Sequence, residues 1–454
     1  MASGCHNMHM KTVLRFAGVW ILVIAMALFT SAVIAQETAE ENAADDTEAV
    51  DNNEAAVDDE AAVDDEDLPE DALSGSLDDS TGSIEAHRET AGDLREQGWQ
   101  IAGDTRVGFV RLERDERDGS TSTDSGLRGR FRIGGALNIN DWLLANARIA
   151  WTCSSNRCDA DPTLGTTLDT QTSIEDGSIT FDQLYFHIFR RKRFDVALGR
   201  LQTKFVARAG VFAKSLDRNN SNGFNVNWTD GAHATYHFEN ESIVHFIPEY
   251  NDPDGSSNVR RGPLDFSDSK ARVSYFAAWE SQKRIGPITQ RGFDVTYLPS
   301  ALLKEGTPDG PIEDYVGIVA RMATARPFGS SGTRWNVAAE IGYAPETPTQ
   351  AAVGLPGQGD ANGMAFSFAA SLMDLWPNHS IGVNYGRADP GWLLSPQYRD
   401  NEELIEIRYL WRKSRKLTLD FRVRGRRDLE ELISESRPRD EIDFFARFTI
   451  GFTR

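Results

Sequence analysis

The last fifteen residues of the chain, DEIDFFARFTIGFTR at 440–454, decide the fold. Alternate positions build one apolar face, which contains Ile442, Phe444, Ala446, Phe448, Ile450 and Phe452. The other face is mostly polar or small and contains Asp443, Arg447, Thr449, Gly451 and Thr453, with Phe445 as its exception. A period of two residues is that of a β-strand. A soluble sandwich shows the same alternation, but an aromatic-rich strand at the end of a chain is typical of a transmembrane β-barrel.

The charge of the chain is concentrated at one end. The sequence has 454 residues and a formal net charge of −21. Residues 1–100 contain 23 acidic and 4 basic residues, whereas the rest of the chain contains 46 acidic and 44 basic ones. After the N-terminus, no apolar run approaches the roughly 18 residues of a spanning helix. This composition excludes a helical membrane protein and fits a barrel, in which only alternate residues face lipid.

The N-terminus carries the pattern of a secretory signal peptide over residues 1–35. Lys11 and Arg15 precede the apolar stretch FAGVWILVIAMALFTSAVIA at 16–35. A basic start, an apolar core and small residues before a cleavage point are the marks of such a peptide. A retained anchor helix is the alternative interpretation.

An acidic segment follows at residues 36–103. Its part 37–83 contains 19 acidic residues, no lysine or arginine, and the repeat EAAVDD at 54–59 and 60–65. Such a stretch buries too little apolar surface to offset chain entropy, so we predict a disordered periplasmic segment. Weak, non-specific binding of divalent cations is the alternative to a solvated tail. Ile84–Gln97 is predicted to form one short helix.

Residues 104–454 alternate between period-two segments and turns, so we predict that they form the barrel domain. Two strands, GLRGRFRIGGALNI at 126–139 and WLLANARIAWT at 142–152, make a tight hairpin across Asn140-Asp141. A first strand begins after Asp104. The further predicted strands are 178–189, 193–203, 223–238, 242–250, 269–280, 290–298, 313–326, 333–344, 362–373, 380–388, 401–412, 415–427 and 440–453.

The strand count depends on 223–238, where Thr229-Asp230-Gly231 has the composition of a hairpin turn. Outer-membrane barrels alternate short periplasmic turns with long outer loops and have an even number of strands. Both rules are met only if 223–238 is one strand. The sequence therefore predicts an all-β fold, a 16-stranded antiparallel transmembrane barrel. The outer loops are then 115–125, 153–177, 204–222, 251–268, 299–312, 345–361, 389–400 and 428–439.

The second outer loop contains Cys153 and Cys158. They are close in sequence, and an exported protein meets an oxidising compartment. We therefore predict a disulfide that staples this loop.

Arginines recur at lumen-facing positions of the first and last strands. Because a closed barrel places its last strand beside its first, these arginines are predicted to share one wall. The predicted pore-lining residues are Arg128, Arg130, Arg132, Arg148, Arg408, Arg422, Arg424, Arg426 and Arg447. Glu406, Asp420 and Asp443 are interleaved with them. The wall is either a salt-bridge lattice or a positive stripe that guides anions, and the two roles are compatible.

The third outer loop has an apolar centre, Phe205 to Leu216, which is unusual for an exposed loop. A place inside the barrel removes this apolar surface from water, so the loop is predicted to narrow the pore. The bases that it brings to the predicted constriction are Lys204, Arg208, Lys214 and Arg218.

No catalytic or cofactor motif is present, so neither an enzyme activity nor a cofactor is predicted. His233 and His237 share one strand face with Thr235, which is the spacing of a possible metal pair. Two such histidines without an acidic partner nearby are more often solvated, so no metal is predicted.

Segment 126–152, the stretches FDQLYFHI and RFDVALGRLQTKF, the sixteen strands and the aromatic-rich last strand resemble Gram-negative porins. The nearest resemblance is to the phosphate-selective porin O/P family, over residues 104–454. That resemblance implies an arginine ladder along the channel, lysines on an inward third loop, and a homotrimer. Arg128, Arg130, Arg132, Arg422, Arg424 and Arg426 match the ladder, and Lys204 and Lys214 match the loop. The chain departs from the family in lacking a dense lysine cluster and in ending with Arg454.

The sequence therefore predicts a porin in the outer membrane of a Gram-negative bacterium, passing small hydrophilic solutes and preferring phosphate-like anions. Its expected partners are outer-membrane lipid, these solutes, the barrel-assembly machinery and two further copies of the chain, with no nucleic acid. A general non-selective porin is the first alternative. A barrel enzyme such as a lipase and a structural tether are the others.

Overall fold

The computed structural model describes residues 98–165, 173–191, 193–218, 223–251, 262–266, 271–329, 332–395, 397–414, 416–435 and 437–453. The predicted signal peptide, the acidic stretch 37–83 and the predicted helix Ile84–Gln97 lie outside these residues. Among the described residues, no helix is long and apolar enough to cross a membrane.

Seventeen strands lie in one compact unit, and sixteen of them close into an antiparallel barrel. They are β1 (Trp99–Asp115), β2 (Thr121–Asn140), β3 (Leu143–Ser154), β4 (Asp161–Pro162), β5 (Ser178–Arg191), β6 (Phe194–Leu201), β7 (Thr229–His237), β8 (Ser242–Asn251), β9 (Arg272–Ser281), β10 (Gln290–Leu303), β11 (Ile312–Pro327), β12 (Arg334–Tyr343), β13 (Met364–Trp376), β14 (His379–Ala388), β15 (Glu402–Ser414), β16 (Leu417–Asp428) and β17 (Asp440–Thr453). The two-residue strand β4 lies in a loop and pairs in parallel with β5. Among the described residues, the one further element is a short 3₁₀ helix, Ala351–Val353.

The barrel closes between its first and last strands. β1 pairs with β17 from Ala102–Thr453 to Asp115–Asp440, and its other edge pairs with β2. No strand of the described wall is left with an open edge, so the backbone groups of every strand find partners within the sheet. This closure confirms the predicted 16-stranded fold.

The alternation read from the last strand matches its two faces. Ile442, Phe444 and Ile450 are exposed on the outside of the barrel, whereas Asp443 and Arg447 are buried on the inside. Phe445 also points inward, where its ring packs 5.5 Å from that of Phe224 in the third loop. The exception in the pattern is therefore an inner-face residue that the loop covers.

Exposed aromatic residues form two belts on the outer surface. One lies near the short turns and includes Trp99, Trp142, Phe194, Phe238, Trp376 and Phe452. The other lies near the long loops and includes Tyr250, Tyr275, Tyr297 and Tyr343. Aromatic girdles at two levels with an apolar band between them mark the two interfaces of a membrane.

Three predicted boundaries are wrong. The barrel begins at Trp99 and not after Asp104, because β1 already pairs with β2 from Trp99–Leu137 onward. The first outer loop is not 115–125, because β1 and β2 continue in register to the pair Asp115–Thr121 and leave only residues 116–120 as a turn. The predicted strand 223–238 is too long, because the strand begins at Thr229; no hairpin forms at Thr229-Asp230-Gly231, which agrees with the prediction. Residues 223–228 keep the alternation of a strand and yet lie inside the lumen, where Val226 and Trp228 are fully buried.

Candidate functional site: the two inner walls and the third loop

The inner faces of β15, β16, β17, β1, β2 and β3 form one surface, here called the basic wall. Eleven arginines of these inner faces form ion pairs, and Arg117, Lys214, Arg399 and Arg439 join them from adjoining turns and loops. These fifteen bases share nine carboxylates: Asp104, Asp176, Asp182, Glu402, Glu406, Asp420, Asp428, Glu441 and Asp443. Asp443, for example, accepts hydrogen bonds from Arg422 and Arg424, and Asp420 accepts them from Arg408 and Arg447. Because the bases outnumber the acids, pairing leaves the wall with an excess of positive charge.

In most of these pairs the arginine reaches the surface and the carboxylate does not. The side chain of Arg422 is 17% exposed and that of its partner Asp443 is 3% exposed. Arg148 is 14% exposed over a fully buried Asp182. The other arginines that are more exposed than their partner carboxylates are Arg114, Arg128, Arg399, Arg408 and Arg424.

The centre of the wall beside the barrel seam is an exception. Arg106, Arg130 and Arg132 converge on Asp104, and all three are more buried than that carboxylate. Residues 223–228 cover two of them, because Arg106 and Arg130 donate hydrogen bonds to the carbonyls of Gly223 and Asn225 at 3.0 and 3.1 Å. Arg426 is also covered, since its guanidinium donates to Glu402 Oε1 at 2.5 Å and to the carbonyl oxygen of Gln397 at 3.0 Å. The structure thus divides the predicted row of pore-lining arginines into covered and surface-reaching members.

The third loop connects β6 to β7, and its described residues, 202–218 and 223–228, lie inside the barrel. Its backbone is fixed to inner-face side chains: Glu340 accepts from the amides of Ala207 and Leu216 at 3.2 and 2.9 Å. Ser371 donates to the carbonyl of Ala209 at 2.6 Å. Val211, Phe212 and other apolar side chains of the loop pack on β11, β13 and β15. Burial of the loop's apolar centre removes the surface that made it unusual in the sequence.

The bases of this loop occupy different environments. Lys214 is buried and donates to Glu406 Oε2 at 2.5 Å. Arg218 is buried and pairs with Glu249 at 2.6 Å. Lys204 is half-buried and Arg208 is exposed. Two of the four predicted constriction bases, Lys214 and Arg218, therefore fasten the loop to the wall, and Arg208 is the most exposed of the four.

The inner faces of β6 to β12 form the opposite surface, here called the acidic wall. Arg321 is 1% exposed there and is held by three carboxylates: Asp217 of the loop, Asp294 and Glu340. Arg218 and Glu249 form a second buried pair. The third loop lies over these groups, so their carboxylates are removed from the water of the lumen.

Histidines complete the acidic wall. His187 and His237 flank Asp195 at 3.2 and 3.3 Å, so the acidic partner that the sequence did not place comes from β6. His233 Nε2 lies 3.1 Å from His245 Nδ1, and the ring of Phe205 from the third loop packs edge-on against both imidazoles. Within the described part of the chain, no group of three or more His, Cys, Asp or Glu side chains is arranged to hold a metal ion.

Cys153 and Cys158 are joined by a disulfide with a Cα–Cα distance of 4.5 Å. The bond lies at the start of the loop between β3 and β5, next to residues that Arg157 ties to Glu175 at 2.7 Å. The predicted staple of the second outer loop is thus formed.

Sequence reasoning missed three parts of the site. Arg106 follows the same inward alternation as the other arginines, and a face assignment of β1 would have found it. Arg321 on β11 has no local signal, because its three partners, Asp217, Asp294 and Glu340, come from three separate segments. The segment 389–400 was predicted as an outer loop, but Trp392, Leu393 and Leu394 are fully buried inside the barrel.

No family model and no curated protein matches the sequence. Among solved structures, a high-pH structure of OprB from Pseudomonas putida aligns with a TM-score of 0.53 at 10% identity, covering 81% of this chain and 97% of that one. OccK8 (OprE) of Pseudomonas aeruginosa aligns at 0.47 and 11% identity, over 78% and 98%. A BenF-like porin from Pseudomonas fluorescens Pf-5 aligns at 0.44 and 11% identity, over 78% and 99%.

The chain therefore has the fold of Gram-negative outer-membrane porins. A closed barrel of this kind with an apolar outer belt lies in the outer membrane of a Gram-negative bacterium, as the sequence predicts. At such low identity the likeness is one of fold, and assignment to the phosphate-selective porin O/P family stays a prediction.

Proposed function

We propose that this protein is a passive channel for small hydrophilic solutes and that it prefers anions, including phosphate-like ones. One observation carries the preference: across most of the basic wall the arginine of each ion pair is more exposed than its carboxylate. Arg422 over Asp443 and Arg408 over Asp420 are examples. A solute in the lumen meets the guanidinium first, although the pair as a whole is nearly neutral. Rows of such charge set the selectivity of aqueous pores.

The acidic wall supports the same preference. Its carboxylates would favour cations if they faced water, but the third loop covers Asp294 and Glu340. The loop thus removes negative charge from the lumen and leaves Arg208 exposed on its surface. If the acidic wall were uncovered, its carboxylates would make the electrostatic potential in the pore more negative and oppose the contribution of the arginines.

The reversal potential of the purified protein in a planar bilayer under a KCl gradient tests the proposal. We expect the sign that corresponds to chloride over potassium, and a preference that weakens as salt rises, because these charges border water and a Debye length is only about 8 Å at physiological ionic strength. Added phosphate should reduce the chloride current by competing for the same arginines. A cation-selective channel would overturn the anion preference, and a reversal potential near zero would favour the non-selective porin.

The absence of conductance together with lipid hydrolysis would favour a barrel enzyme instead. A homotrimer and recognition by the barrel-assembly machinery are implied by the family resemblance and remain part of the proposal. The mass of the detergent-extracted protein measures the first. Crosslinking of the assembling chain to the machinery measures the second.

A further inference from the structure

The described residues of the loop between β14 and β15, 389–395 and 397–401, are largely buried inside the barrel and are here called the strap. Its side chains fill spaces on the inner wall where the strands carry glycine. A Cβ on Gly317 would lie 2.1 Å from Leu394, and one on Gly386 would lie 2.1 Å from the ring of Tyr398. One on Gly342 would lie 2.7 Å from Trp392. Carbon atoms that are not bonded to each other do not approach this closely. The strap therefore fits against Gly317, Gly342 and Gly386 only because these residues have no side chain.

Polar contacts fix the strap to the wall as well. Tyr315 on β11 donates to the carbonyl of Gly391 and accepts from the amide of Leu393, both at 2.9 Å. Tyr398 donates to Asn384 Oδ1 at 3.0 Å. The strap is thus held on several strands by buried hydrogen bonds, which are costly to leave unmade.

The strap also holds the third loop. The indole nitrogen of Trp392 donates to the carbonyl of Leu216 at 3.0 Å, and the hydroxyl of Ser395 donates to the carbonyl of Ser215 at 3.1 Å. Leu216 belongs to the same apolar cluster as Trp392, Leu393 and Leu394. These residues lie next to Lys214, whose ammonium group stands 5.7 Å from the centre of the Tyr398 ring. One stretch of the third loop is therefore clamped between the strap and the wall.

We propose that Trp392 and Ser395 are positioning residues that set the width and selectivity of the channel without touching the solute. Both are completely buried, so neither lines the lumen. They act by satisfying two backbone carbonyls of the third loop that would otherwise be buried without a donor. Loss of these bonds releases the loop from the wall and widens the path beside the basic wall. This inference rests on the proposed channel function.

The double variant Trp392→Phe/Ser395→Ala tests the proposal, because it removes the two donors and keeps an aromatic ring in the socket. We expect a second, larger conductance level whose occupancy rises about five- to tenfold for each hydrogen bond lost. The larger level should have a lower anion preference and admit larger neutral sugars. Trp376→Phe, on the exposed outer surface at the turn after β13, is the matched control and should behave as wild type.

Gly386→Ala perturbs the strap from the barrel wall, because the added methyl group displaces Tyr398. This variant should show the same larger conductance level as the double variant. Heat-modifiable migration on gels confirms that each variant is a folded barrel. If wild type conducts and the folded double variant keeps its conductance, noise and selectivity, the strap inference is overturned while the channel function stands. If wild type itself does not conduct, the proposed function fails instead. A wide level in Trp376→Phe as well would also overturn the inference.

Discussion

The basic and the acidic wall use similar side chains with opposite results. On the basic wall Arg422 and Arg424 stand over one buried Asp443, so the base meets water. On the acidic wall Arg321 is buried among three carboxylates, and the third loop covers the whole group. The number of charges on each wall therefore says little about the field in the pore. What matters is which member of each pair remains uncovered when the loop is in place.

The largest expected effect comes from the centre of the acidic wall. Arg321→Met leaves Asp217, Asp294 and Glu340 buried without their guanidinium, and breaking a buried pair in this way costs about 3–5 kcal/mol. We expect a large loss of folded protein, measured as the heat-modifiable band and as the free energy of unfolding in urea. Arg128→Met is the control, because its pair with Asp176 is exposed and contributes about 0–1 kcal/mol. Equal losses in both variants would show that the two walls do not differ in burial.

The outer surface behind the basic wall provides the second test. Phe448 faces outward near the middle of β17, so Phe448→Arg should cost roughly 2–4 kcal/mol in the membrane. Phe452→Arg, on the same face near the strand end, should cost only about 0–1 kcal/mol. Assembly yields in lipid vesicles measure both. If both variants lose the same fraction of assembled protein, the outer surface behind the basic wall does not face lipid as the fold implies.

A smaller effect is expected on selectivity. Arg422→Gln/Arg424→Gln removes two surface-reaching bases, and the anion-to-cation permeability ratio should fall about fivefold or less, since a unit charge in water contributes about 1 kcal/mol at 4 Å. Reversal potentials measure the ratio. Arg427→Gln on the outside of the barrel is the matched control, because its side chain is 60% exposed and paired with Asp440. An unchanged ratio in the double variant would assign the field to Arg208 and Lys204 instead.

The last effect concerns Lys214, which fastens the third loop to Glu406 of the basic wall. Burial lowers the pKa of this amine from 10.5 to about 7, and Glu406 opposes the shift only in part. The folded protein releases the proton near pH 7 while the unfolded chain keeps it to a higher pH, so this residue makes stability rise as pH increases between the two values. Lys214→Met should flatten the rise in melting temperature between about pH 6 and pH 9. The same slope in both proteins would contradict the shift.

The barrel was largely predictable because strand alternation and loop length are local properties. The sixteen strands, the faces of β17 and the disulfide between Cys153 and Cys158 all follow from patterns within short stretches. The segment 223–228 shows the limit of this reasoning. Phe224, Val226 and Trp228 alternate as lipid-facing residues do, but alternation reports an amphipathic backbone and not the identity of the apolar surface that covers it.

The sites were less predictable for a related physical reason. Arg130 and Arg422 have the same sequence context, alternating with small or apolar residues on a strand. One is buried beneath residues 223–228 and the other reaches the surface, and only the path of the third loop separates them. That path depends on Glu340, Arg321 and the strap, which lie more than one hundred residues away in the chain. Burial of this kind has no signature in any single segment.

The seam between β1 and β17 has a consequence for the order in which the molecule is made. Every other pair of wall strands joins neighbours along the chain, whereas Ala102 and Thr453 are 351 positions apart. Closing so long a loop costs chain entropy that only the completed ladder recovers. The hairpins are therefore expected to form early, and the seam to close last, once the final strand has joined the sheet. Until the seam closes, the molecule is an open sheet with two edges whose backbone groups are unpaired. A chain truncated before β17 lacks the strand that closes the barrel, so it has no closed form to adopt.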